Sequence, residues 1–126
     1  MKQGNVILEK SFDFGLRIIK LHLYLKEKKV DRILYLQILR SGTSIGANVE
    51  EAMGGSSKKD FIQKLKIAYR ETRETIYWLR LLTAGKIMEE KIANSLLNDC
   101  EAKENSIRNF EHHFIQPIKT RKIKRM

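Results

Sequence analysis

Residues 39–61 read LRSGTSIGANVEEAMGGSSKKDF, and the fold turns on whether that stretch is helical. Six of the nine residues from Arg40 to Asn48 are Ser, Gly, Thr or Asn, all poor helix formers. Yet at about 100° per residue Leu34, Ile38, Ser41, Ile45, Val49 and Ala52 share one stripe. A second stripe beside it, Arg40, Ser44, Ala47 and Glu51, is small or charged, so two faces of one helix are expected to pack. Gly42 and Gly46 lie one turn apart, and each costs about 1 kcal/mol against alanine in a helix interior. Close approach of another backbone would offset that cost; a kink, or a break into two shorter helices, is the alternative.

Outward from this stretch, the helical rhythm continues in both directions. Upstream, Phe12, Leu16, Ile19 and Leu23 recur at i, i+4, i+7 and i+11 and are expected to form the core stripe of a first helix, widened by Ile18, Leu21 and Leu25. Ser11 is the expected cap, with Asp13 in the first turn; residues 1–10 read as a flexible lead-in. The second helix is expected from Val30 or Asp31 to Gly54 and Gly55, where a left-handed C-terminal residue is easily supplied. Ser57 and Asp60 have capping-box spacing and open a third helix, Lys58 to Ala84, with Phe61, Leu65, Ala68, Thr72, Thr75, Leu79 and Leu82 on its inner face. A fourth helix, from Glu89 to Phe114, carries Ala93, Leu96, Cys100, Ile107, Phe110 and Phe114. The single proline, Pro117, is expected to end it. The chain thus reads as all-α: an antiparallel up-and-down four-helix bundle over residues 11–116, followed by a basic tail, 117–126.

The chain has 126 residues, enough for one domain with a real core. Its net charge is +10, an excess suited to a polyanion such as RNA or DNA. Half of that excess sits in the tail, on Lys119, Arg121, Lys122, Lys124 and Arg125. These are the first candidates for phosphate contact, with Arg73 and Arg80 next; equally, a basic tail can simply confer solubility. One cysteine excludes an internal disulfide, and neither a signal peptide nor an apolar run of membrane-spanning length is visible. A cytoplasmic protein without membrane attachment is expected.

Signals for catalysis are weak. His22, His112 and His113 have no metal-ligand spacing, no Walker or nucleophile-elbow motif occurs, and neither metal nor cofactor is expected. Glu51, Glu71 and Glu74 could approach one another across helices, but the Glu-x-x-His partners of di-metal bundles are missing. An ion-pair network with Arg40, Lys64 or Arg70 that fixes helix pairing is the favoured reading over an enzyme. Tyr77 and Trp78 could stack on bases, but packing at a helix or subunit interface is the stronger expectation.

The string RSGTSIGANVEEA followed by SSKKDFIQKLKIAYRETRETIYWLRLL resembles the four-helix-bundle family encoded in intervening sequences of bacterial 23S rRNA genes. The resemblance runs from Ser11 to about Phe114. It rests on Arg40, Ser41, Gly42, Ser44, Ile45, Asn48, Glu51 and Ala52, then Ser57, Asp60, Phe61, Lys64, Ile67, Glu71, Glu74, Thr75, Trp78 and Leu82. It implies no enzymatic activity and a ring-like homo-oligomer, a pentamer in similar proteins. Relatives also include accessory proteins of diversity-generating retroelements, which bind a reverse transcriptase and nucleic acid. The leading expectation is a non-catalytic oligomer that binds RNA or a nucleoprotein. The alternative is a protein-interaction scaffold, or a reverse-transcriptase accessory protein without nucleic-acid specificity of its own. The basic tail lies outside the resemblance.

Overall fold

The computed structural model of the chain describes the backbone of residues 2–125 and the side chains of residues 4–110. Four helices make up the chain: α1 Lys2–Glu27, α2 Arg32–Met53, α3 Lys58–Ala84 and α4 Glu90–Arg125. Each packs against its two neighbours in the order α1, α2, α3, α4 and back to α1, with no close backbone approach across either diagonal among the described residues. The pairing is antiparallel throughout. Ile18 and Ser11 of α1 meet Gly42 and Gly46 of α2; Arg40 and Glu51 of α2 meet Glu74 and Lys64 of α3; Thr72 and Tyr69 of α3 meet Cys100 and Glu104 of α4.

α2 is one unbroken helix, and local hydrogen bonding explains how its poor helix formers stay helical. Thr43 Oγ1 donates to Leu39 O at 2.6 Å, Ser44 Oγ to Arg40 O at 2.6 Å, and Asn48 Nδ2 to Ser44 O at 2.8 Å. Polar side chains that could compete with the helix thus bond back onto it. The glycines do the rest. A Cβ on Gly42 would sit 2.6 Å from Ile18 Cγ1, and one on Gly46 would sit 3.1 Å from the backbone oxygen of Ser11. α1 therefore lies against α2 closely enough that a side chain at Gly42 would displace Ile18 and one at Gly46 would press on the Ser11 backbone.

The core contains Ile38, Ile45, Val49 and Ala52 of α2, Leu65, Ala68, Leu79 and Leu82 of α3, and Ala93, Leu96, Cys100, Ile107 and Phe110 of α4. The expected inner faces of these helices are the observed ones, except that Leu34 and Phe61 are only half-buried and that Phe114 lies outside the described side chains. Ser57 Oγ accepts from the Asp60 backbone N–H at 3.1 Å and starts α3 at the expected residue. Asp31 caps α2 by accepting from Ile33 N at 2.9 Å.

α1 departs from expectation in three ways. It begins at Lys2, so residues 2–10 are helix and not a lead-in. Ile7 is buried one turn ahead of Ser11, and this additional anchoring extends the helix. Ser11 is no cap: it is fully buried within the helix, and its hydroxyl donates to Leu8 O at 3.1 Å. The core stripe is Ile7, Phe14, Ile18, Leu21 and Leu25, whereas Phe12, Leu16, Ile19 and Leu23 are 63%, 47%, 43% and 56% exposed. Both stripes have helical spacing, but only the first has Ile18, the side chain that fills the space over Gly42.

The helix ends also differ. Gly54 closes α2 at φ −92°, not in the left-handed region, and the left-handed positions of the described turns are Lys29 and Lys86. α4 starts at Glu90 and its backbone stays helical through Pro117 to Arg125. Proline fixes φ near the helical value, so a helix can pass through it with the loss of one hydrogen bond.

Candidate nucleic-acid interface

α3 sorts its charges onto two sides. Its carboxylates Asp60, Glu71 and Glu74 face α2 or the α2–α3 turn: Ser56 Oγ bonds Asp60 at 3.0 Å, and Arg40 pairs with Glu71 at 3.5 Å and with Glu74. Lys64 pairs with Glu51 at 2.8 Å on the same side. These ion pairs join α2 to α3 through the residues singled out in the sequence, Arg40, Glu51, Lys64, Glu71 and Glu74. All are partly exposed, so they set register more than they add stability. Beneath them Thr75 Oγ1 lies 3.0 Å from Ser41 Oγ and 2.8 Å from Glu71 O, a dry polar contact between the same two helices.

The opposite side of α3 is basic. Lys59, Lys66, Arg73 and Arg80 recur every seven residues, about 10.5 Å apart along the helix, and all four are exposed. Arg70 is exposed beside them. Among the described residues none of these five makes an ion pair. Arg73 and Arg80, expected from the sequence as candidate phosphate contacts, thus belong to a ridge whose other members, Lys59 and Lys66, sequence reasoning passed over. Their seven-residue period was the available signal. Tyr77 is 54% exposed but leans onto Trp78, ring centroids 5.4 Å apart, toward the α2 side. Trp78 is half-buried, and its indole N–H finds no acceptor among the described residues. The remaining candidates, Lys119, Arg121, Lys122, Lys124 and Arg125, have side chains outside the described residues.

A second charged cluster joins α1 to α4. Arg17 reaches Asp99 at 3.0 Å and Ser95 at 2.8 Å, and Lys103, one turn on, also pairs with Asp99. Lys103 is only 6% exposed, in line with Cys100 and Ile107 on the buried face of α4, with its ammonium 5.9 Å from the Phe14 ring centroid. Sequence reading missed it, although its spacing on the stripe was visible. Burial pushes the Asp99 carboxyl up, but hydrogen bonds from Lys103 and Arg17, with their charges, outweigh this and hold it below the usual carboxylate range. Both cations are committed to Asp99, so this cluster is a joint and not an anion site.

Neighbouring Cys100 is fully buried; its Sγ lies 3.6 Å from Thr72 O. Burial, reinforced by the Asp99 charge, pushes its thiol up to about 12. It is a thiol at neutral pH and packs as a small apolar group. No group of three or more His, Cys, Asp or Glu among the described residues could hold a metal ion, and no described helix is long and apolar enough to cross a membrane.

Comparison with known proteins places this architecture. No curated protein matches the chain. A solved structure from Bacteroides thetaiotaomicron, a protein of unknown function from the S23 ribosomal protein family, is 40% identical and superposes with a TM-score of 0.83. The match covers 86% of this chain and 97% of that one. The profile of the 23S rRNA-intervening sequence proteins matches residues 3–109, the four helices without the basic end of α4. The chain therefore belongs to the 23S rRNA-intervening sequence protein family.

Proposed function

We propose that the protein is a non-catalytic, cytoplasmic homo-oligomer, a ring-like pentamer, that binds RNA or a nucleoprotein through basic surfaces. The observation that carries this reading is the α3 ridge: Lys59, Lys66, Arg73 and Arg80 stand exposed without ion pairs, while every carboxylate of α3 lies on another side. A cation already paired to a carboxylate has little to gain from a phosphate, whereas these four are free to neutralise one and release its counterions. Their spacing along a rigid helix fits a backbone contact and carries no base readout. The tail cations add to the same attraction. Five subunits would gather roughly +50 on one particle, so affinity falls steeply with salt.

Titration with single-stranded RNA over a range of salt concentrations tests the reading. Replacing Lys59, Lys66, Arg73 and Arg80 with Ser weakens binding and flattens the slope of log affinity against log salt by about 3, the value for four lost single-strand phosphate contacts. Replacing Lys119, Arg121, Lys122, Lys124 and Arg125 with Ser acts in the same direction. If both variants bind as the parent does, the charge serves another purpose. A partner protein retained on the protein after nuclease treatment would then point to the scaffold or reverse-transcriptase accessory role.

A further inference from the structure

Tyr77 stands in the middle of the basic face of α3. At about 100° per residue it lies within about 60° of Lys59, Lys66, Arg73 and Arg80 around the helix. Arg73 is one turn before it and Arg80 one turn after, so two arginines bracket one ring along the helix, and Arg70 flanks it on the other side. Tyr77 is 54% exposed, and its contact with Trp78, ring planes at 68°, holds the ring without covering it. Leu81, one turn on and 43% exposed, adds an apolar shoulder.

A second apolar spot lies on the same face, nearer the start of α3. Lys58, Lys59, Ile62, Gln63 and Lys66 line a concavity of about 530 Å³, with Ile62 half-buried among three exposed lysines. Attraction to phosphate needs neither Tyr77 nor Ile62. A duplex has no use for them, because its bases are already paired and stacked and it presents chiefly phosphates and 2′-hydroxyls. An unpaired strand has phosphates for the cations and a base face for each apolar surface. A protein segment is the other class of occupant, and it would have to take Arg70, Arg73 and Arg80 into the contact. None of the three has a carboxylate partner among the described residues, whereas a strand brings a negative charge with every base.

We infer that the nucleic acid bound along α3 is single-stranded, with one unpaired base stacked on the Tyr77 ring and the phosphates to either side of it held by Arg73 and Arg80. This rests on the RNA-binding reading above and names the form of the ligand. A ring already held by Trp78 loses little freedom when a base stacks on it, so ordering offsets little of the stacking energy. The Ile62 concavity, about 22 Å away along the helix, gives the same strand a second apolar rest. Every base has a face that can stack, so the strand is bound with slight sequence preference.

The test titrates an unstructured RNA oligonucleotide, alone and annealed to its complement, over a range of salt concentrations. The parent should prefer the single strand. Tyr77→Ala should weaken single-strand binding about tenfold, leave duplex binding unchanged and keep the salt slope of the parent, because no phosphate contact is lost. Tyr77→Phe should bind as the parent does. Tyr77→Leu, which keeps apolar bulk without a ring, should behave as the alanine variant. Far-UV circular dichroism and light scattering check that each variant keeps the helices and mass of the parent. Equal affinity of the parent for both RNA forms, or a Tyr77→Ala or Tyr77→Leu variant that binds the single strand as the parent does, overturns the inference and leaves the phosphate reading standing. A Tyr77→Ala variant of lower mass than the parent overturns it too, since the ring then serves a contact between protein chains. Absence of salt-sensitive binding to either form overturns the RNA-binding reading itself.

Discussion

α1 is joined to its two neighbours by unlike means. Against α2 it lies close, with Ile18 in the space over Gly42 and the Ser11 backbone against Gly46. Against α4 it is held by Arg17, Asp99 and Lys103, a charged joint with one ammonium almost wholly buried. The first joint is apolar and short-range and fixes distance; the second is directional and fixes which side of α4 turns inward. Adjacent helices on a short turn have few alternative pairings. The joint between the first and last helices has no such tether; there the partly exposed Arg17–Asp99 pair crosses from α1 to α4, and the buried Lys103, paired to Asp99 within α4, lies over the Phe14 ring of α1.

The largest effect comes from breaking the close joint. Gly42→Leu, which drives a side chain into the fully buried Ile18, should cost about 3 kcal/mol or more by urea denaturation, despite the better helix propensity of leucine. A loss below 1 kcal/mol would mean that α1 can move away freely.

The charged joint should lose less and should show pH dependence. The folded-state pKa of Asp99 is depressed, so its stabilisation is present above the unfolded carboxylate value near 4 and disappears as pH falls through the lower folded value. Asp99→Asn removes the charge facing Arg17 and Lys103 and should cost about 2 kcal/mol at pH 7. The difference between parent and variant should narrow under acid. A constant difference from pH 7 to pH 2 would show that shape, not charge, matters at this joint.

The smallest effect has the opposite sign. Gly15→Ala meets nothing within the chain and should raise stability by about 0.5–1 kcal/mol. A loss of stability would show that the α1 backbone needs glycine there for a reason other than room.

Much of α2 and α3 was legible because each side chain there has one burial solution. The stripe of Ile38, Ile45 and Val49 is a single seam, Ser57 and Asp60 mark a start, and Gly85 marks an end. α1 was misread because it carries two apolar stripes of equal regularity, and periodicity cannot say which one faces its own chain. The deciding signal lay in another helix, in the two glycines of α2, which take the Ile18 side chain over Gly42 and the Ser11 backbone over Gly46. The α3 ridge was half legible for a related reason: Arg73 and Arg80 stood out beside aromatics, while Lys59 and Lys66 were spread among ordinary surface lysines. Lys103 was hidden because a lysine on an apolar stripe is ordinarily expected to turn out to water.

Cys100 gives the molecule a clock. Its sulfur is sealed between α3 and α4, and with the thiol pushed up to about 12 almost no thiolate exists at neutral pH to react in the closed state. An alkylating reagent therefore reads opening events, and its rate dates the separation of these two helices. Because Cys100 lies next to Asp99, the α4 partner of Arg17, one native side chain beside the α1–α4 joint can time how often α3 and α4 part.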